Sequence, residues 1–215
     1  MAGCIFDSDK KDDIKGEYLD SYFPLNPKLT RSYTVTTFQD SLESRSTMTR
    51  FFSGIMNFQG TSYYILQSTD SEKYSYYRID NNILYRFYFE NEKYFVPYKH
   101  EEPLLDFTKN PGESWLVVDN TITETSGETT YTLTATYIGL ETVQVPAGTF
   151  EGCARYDNFE TFVNVYRTGE GEKTQRMEMK YSTWYARSIG LVKATSEGDF
   201  FGNYLIELDT YTLKK

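Results

Sequence analysis

The sequence predicts a mainly β fold with little helix: an antiparallel meander that forms a strongly curved sheet or half-open β-barrel. Three observations predict it. Apolar and polar residues alternate with period two through many short runs, which sets one face of each strand on a core and the other in water. Turn residues separate these runs at intervals of about 10–14 residues, the rhythm of a meander, closed or half-closed. Aromatic residues make up 17% of the 215, with 20 Tyr and 15 Phe. Their broad rings suit a pleated, half-buried surface.

In chain order, the strand candidates are 31–38, 46–58, 61–69, 73–80, 83–90, 115–124, 129–137, 141–145, 154–167, 175–182, 184–195 and 203–213. The clearest is 129–137, where Tyr131, Leu133, Ala135 and Tyr137 share one face and threonines line the other. In 175–182, Gln175, Met177, Met179 and Tyr181 alternate with Arg176, Glu178, Lys180 and Ser182. In 83–90, Ile83, Tyr85, Phe87 and Phe89 fall on one side. Turn signals stand at Gln59-Gly60, Asp80-Asn81-Asn82, Ser126-Gly127-Glu128, Gly169 to Glu172 and Gly198 to Asn203. Within 184–195 the order is a strand, a turn around Ser188 to Gly190, and a return strand.

The domain plan is a tether, residues 1–21, followed by one β-rich domain, 22–215. The tether opens Met1-Ala2-Gly3-Cys4, similar to the end of a bacterial lipobox, in which small residues precede a cysteine whose thiol accepts diacylglycerol. The charged and apolar parts of such a signal would lie upstream. Residues 5–21 are charged and offer little to bury, so they read as a flexible spacer with a mean span of roughly 23 Å. Asn-Pro occurs shortly before a Ser-aromatic pair twice, in 22–33 and in 104–115. That echo predicts either two related halves, 22–102 and 103–215, or two independent uses of a common turn.

Composition narrows the function. The formal net charge is −9 and no basic stripe is present, which argues against a nucleic-acid partner. An acidic surface is also repelled by anionic headgroups, so membrane attachment is expected through a lipid on Cys4. No stretch reaches the roughly 20 apolar residues of a spanning helix. With two Cys and one His, a structural zinc site lacks ligands, and no cofactor is expected.

Other candidate sites read as structure. Cys153 lies at a strand start beside Phe150 and is expected to be buried and inert, with His100 in a polar loop. A Cys4–Cys153 disulfide would compete with lipidation. Gly169-Glu170-Gly171-Glu172-Lys173-Thr174 lacks phosphate-loop spacing and carries two acids, so it reads as a hairpin turn. The aromatic stretch 74–98 is the richest feature. Tyr76, Tyr77, Tyr85, Phe87 and Tyr88 are the candidate ligand-lining residues, with Tyr77 and Tyr88 on the face opposite their neighbours. The competing reading is that these rings fill the core.

Residues 143–153, Val-Gln-Val-Pro-Ala-Gly-Thr-Phe-Glu-Gly-Cys, describe a strand, a tight turn and a new strand. With Trp184-Tyr185-Ala186, Gly190-Leu191-Val192-Lys193 and the opening Tyr22-Phe23-Pro24-Leu25-Asn26-Pro27, this resembles a group of uncharacterised bacterial cell-envelope lipoproteins. In that group Asn-Pro runs on into Gly, Trp and Tyr. Here Lys28-Leu29-Thr30-Arg31 follows instead, and the usual form stands at Asn110-Pro111-Gly112. The resemblance implies a fold outline similar to the half-barrels of periplasmic lipoprotein carriers. It also implies an address: an outer-membrane-anchored protein facing the periplasm or the cell surface. The expected function is non-enzymatic binding of a hydrophobic ligand or partner on the concave face. The alternatives are a surface interaction module without a pocket, and a carboxylate-based hydrolase.

Overall fold

A computed structural model describes residues 21–39, 42–87, 101–125, 127–169, 171–198 and 202–214. Residues 1–20 of the tether, with Cys4, and Tyr88 and His100 lie outside the described residues. Twelve strands are found among the described residues: β1 (Leu29–Gln39), β2 (Leu42–Phe58), β3 (Thr61–Ser68), β4 (Ser71–Asp80), β5 (Ile83–Phe87), β6 (Glu101–Asp106), β7 (Ser114–Glu124), β8 (Gly127–Val145), β9 (Gly148–Thr168), β10 (Gly171–Ala186), β11 (Gly190–Gly198) and β12 (Asn203–Leu213). No helix is present among them.

All twelve strands belong to one antiparallel sheet in the order β6-β5-β4-β3-β2-β1-β12-β11-β10-β9-β8-β7. Each half of the chain is a six-strand meander, and β1 joins β12 through a hydrogen-bonded ladder from Leu29↔Leu213 to Phe38↔Asn203. The two outer strands, β6 and β7, are consecutive in the chain yet stand at opposite edges of the sheet. Curvature brings these edges together without a ladder, so the sheet nearly closes into a barrel with one unsealed seam. There Trp115 of β7 donates its indole N–H to the Pro103 carbonyl of β6 at 2.8 Å. The six-strand halves part in the 107–113 turn, whereas a division at 102/103 would cut β6 in two.

Local chemistry explains the corners. Gln59 and Gly60 both adopt positive φ, as do Asn81 and Asn82, the geometry of a tight two-residue hairpin. The two segments expected at 129–137 and 141–145 are one strand, β8. Its alternation is broken by register shifts between Tyr137 and Gly139 and between Glu141 and Val143, where one inserted residue resets the pleat. β6 has no counterpart among the expected strands. Its sequence, Glu-Glu-Pro-Leu-Leu-Asp, shows no clear alternation and contains proline, which is tolerated because β6 is an edge strand.

One end of the barrel is packed shut. Residues 21–25 enter it ahead of β1: Leu25 is fully buried, and the Phe23 ring sits 5.0 Å from that of Tyr77 and 6.2 Å from those of Phe52 and Tyr185. Ser188 N–H donates to the Ser21 carbonyl, and Tyr22 Oη–H donates to that of Gly152. The β8–β9 turn folds over the same end, where Ala147 N–H reaches the Leu208 carbonyl of β12. Val143, Val145, Cys153, Tyr185, Ala186, Leu191 and Val192 join this core. Burial of each large apolar side chain here contributes about 1.5–3 kcal/mol.

Candidate functional site

Beyond the packed end, the inward-facing residues become aromatic, hydroxylic and charged. Alternation from the buried Leu29 brings Arg31, Tyr33 and Val35 of β1 inward. On β2 the inward row is Met48, Arg50 and Phe52, and on β9 it is Tyr156, Asn158, Glu160 and Phe162. Tyr156 contacts the rings of Trp115, Tyr137 and Tyr185, a run of aromatic contacts over the neighbouring strands β7 to β10.

Nearer the other end, Glu160 of β9 accepts hydrogen bonds from Tyr131 of β8 and Tyr181 of β10. Burial raises its carboxyl above the ordinary carboxylate range, against the pull of those hydroxyls and of Arg86. Burial likewise holds the Tyr131 and Tyr181 phenols well above their usual range. Arg86 of β5 reaches Glu102 of β6 at 2.9 Å, and this pair faces Glu160 across the seam. The set can hold a protonated acid beside two phenols. Its second carboxylate, on Glu102, is occupied by Arg86.

Arg31 lies closer to the packed end and is 2% exposed. Its Nη1 donates to the Ile189 carbonyl at 3.3 Å, while Nε and Nη2 have no partner among the described residues. The guanidinium stands 5.6 Å from the Phe52 ring centroid, an attraction of about 0.5–2 kcal/mol. That does not replace the several kcal/mol of hydration a buried ion gives up. Desolvation accordingly lowers the pKa of Arg31.

The outer face of β8 to β11 carries a second polar arrangement. Arg155 binds Glu141 at 3.0 Å and Asp157 at 2.8 Å, and Trp184 Nε1–H donates to Glu141 at 2.7 Å. That indole bond, foremost, and Arg155 hold the Glu141 carboxyl below its usual range. Ser182 donates to Asp157, and Lys180 stands over Phe159. Alongside runs an open groove of about 470 Å³, lined by Thr134, Thr136, Asp157, Phe159, Lys180 and Glu197 among others.

The candidate ligand-lining aromatics do not form one wall. Tyr77 faces the interior, buried, with its ring tilted against that of Phe23. Tyr76 and Phe87 lie on the opposite sheet face, packed with Met56, Phe58, Tyr63 and Ile65. Tyr85 shares that face, under the Arg78 guanidinium. In β4 both faces carry tyrosines, and in β5 the aromatic row of Ile83, Tyr85 and Phe87 is the outer one while Leu84 and Arg86 face inward, so alternation there did not tell inside from outside. Cys153 is fully buried and free, its thiol pushed up to about 11 by burial.

Sequence reading passed over Arg31, Arg50 and Glu160. The available signal was a charged residue in phase with the apolar face of its own strand. Among the described residues no group of three His, Cys, Asp or Glu side chains is placed to hold a metal ion.

No protein-family model matches the chain, and no curated protein does. Two solved structures are similar to it. One is a candidate exported protein with a YmcC-like fold from Bacteroides fragilis, 12% identical, covering 87% of this chain and 96% of its own, with a TM-score of 0.49. The other is a candidate lipoprotein from Parabacteroides distasonis, 13% identical, covering 87% and 98%, with a TM-score of 0.47.

Proposed function

We propose that this chain is a non-enzymatic lipoprotein of the bacterial cell envelope whose barrel interior receives a hydrophobic or amphipathic ligand. The unequal filling of the barrel supports the reading. One end is sealed by apolar side chains, whereas the interior beyond it is lined by tyrosines and by charged groups that only partly satisfy one another. A barrel serving structure alone gains most from a uniformly apolar interior, since each buried polar group costs free energy unless paired. Met1-Ala2-Gly3-Cys4, similar to a lipobox, supplies the address, with a lipid on Cys4 holding the domain at the outer membrane.

The absence of catalysis is part of the proposal and rests on two features. Glu102 is engaged by Arg86 and so is a poor base for Glu160 as acid. Cys153 is buried as a thiol.

Two measurements test the reading. Produced in bacteria behind a lipoprotein signal, the protein should yield an amino-terminal Cys4 peptide carrying acyl groups by mass spectrometry. Native mass spectrometry of the domain from membranes should show a co-purifying lipid. An unmodified Cys4 would remove the address, and a ligand-free barrel would remove the binding role.

The outer groove favours a second reading, a surface module that docks a partner over Phe159 and Lys180. Under it, Phe159→Ala abolishes partner capture while ligand content stays unchanged.

A further inference from the structure

We infer that Arg31 and Arg50 form an oxyanion-binding site inside the barrel, built for the carboxylate or phosphate headgroup of an amphipathic ligand. The inference rests on the reading of the interior as a ligand chamber and names the chemistry of what enters it. Arg31 and Arg50 are directly opposed in the β1–β2 ladder. Side chains so placed start about 5 Å apart at Cβ, and like charges there repel. Both face inward. Arg50 stands over the Tyr33 ring at 5.8 Å.

No carboxylate among the described residues pairs with either guanidinium. This is not for want of acids: the chain has 31 Asp and Glu against 22 Lys and Arg. Three other arginines of the sheet are matched with acids, Arg78 with Glu101, Arg86 with Glu102 and Arg155 with Asp157. The interior pair is therefore a local excess of positive charge in an acidic protein. A buried unpaired ion is costly, and buried polar groups in folded proteins are nearly always satisfied. An oxyanion between the two guanidiniums would supply the missing acceptor.

The surroundings suit an amphiphile. Tyr33, Tyr77 and Tyr185 lie close to Arg31, and Phe52 offers an apolar wall. Arg31 is the deep member, with Nε and Nη2 unpaired. Arg50 is only half-buried and is the member a ligand meets first.

The test is direct binding to the full chain, using dansyl-labelled undecanoic acid and its methyl ester as probes. Charge-assisted hydrogen bonds predict that the acid binds at least about tenfold more tightly than the ester. Arg50→Met should bring the acid down to the affinity of the ester and leave the ester unchanged. Arg50→Lys, which keeps the charge, should retain part of the preference and guards against misfolding of the Met variant. Displacement by dodecyl phosphate, by lauric acid or by inorganic phosphate then tells whether phosphate or carboxylate is preferred, and whether a tail is needed. Equal binding of acid and ester, or an unchanged preference in Arg50→Met, would overturn the headgroup site while leaving the chamber intact. Binding of neither probe would overturn the chamber reading and this inference together.

Discussion

The Trp115 indole N–H and the Pro103 carbonyl meet at 2.8 Å across the seam where the barrel is not closed by a ladder. They belong to consecutive strands that the curvature of a twelve-strand sheet has carried to opposite edges. Leu104 and Trp115 also pack in the core beside this bond, so the seam is held by side chains where backbone pairing is absent.

Trp115→Phe keeps most of the ring and removes the donor. The expected loss is about 1–3 kcal/mol, the cost of leaving the Pro103 carbonyl unsatisfied. Amide exchange in β6 should quicken more than in β9, which is paired on both sides. Uniform acceleration across the sheet would show that the seam is no local weak point.

Glu160→Gln should change how stability depends on pH. The folded-state pKa of Glu160 is raised, so its proton is bound more tightly folded than unfolded. That contribution is fully present below the unfolded value of about 4.3 and is lost as pH rises through the folded pKa. Wild type should therefore lose stability relative to Glu160→Gln between acid and pH 8 in urea titrations. Parallel pH profiles would count against a strained carboxylate.

The packed end should be sensitive to small changes. Leu25→Ala is expected to cost about 2–5 kcal/mol, as cavities in tight cores do. Gly190 has φ +91°, and an added Cβ would stand 2.6 Å from Arg31 Nη1 and 3.4 Å from Pro24 Cδ. Gly190→Ala should cost about 1–3 kcal/mol. Thermal denaturation checks both, and a neutral Leu25→Ala would show that residues 21–25 do not hold the end shut.

Cys153 should resist thiol reagents until the protein unfolds. Its thiol is pushed up to about 11 and is fully buried, so labelling at pH 8 should be at least about a hundredfold slower folded than in denaturant. Rapid labelling of the native protein would mean that the packed end opens readily.

The β class, the meander and most strand positions were legible because side-chain period and turn residues are local signals. β6 was not, since an edge strand with a proline need not alternate. The unity of β8 was hidden by its bulges. That segments 143–153, 184–193 and 22–27 meet was not legible, because they are far apart in the chain; the structure gathers Phe23, Leu25, Val143, Val145, Tyr185 and Val192 in one core at the packed end. The inward-facing charged residues were not legible as a set. Arg31 and Arg50 lie 19 positions apart, and only the β1–β2 register opposes them.

By itself the sequence determined that this chain folds as antiparallel β, that it is acidic, and which residues turn the corners. Those properties follow from interactions between near neighbours in the chain. Only the tertiary structure decided which face of β4 and β5 looks inward. Closure of the sheet decided that Tyr77 joins the core while Tyr76, Tyr85 and Phe87 stay outside. It also drew Glu160, Glu102, Arg31 and Arg50 into one interior. A period of two tells that a strand has two faces. Which face is enclosed depends on the direction in which the whole sheet curls, and that is set by strands far apart in sequence.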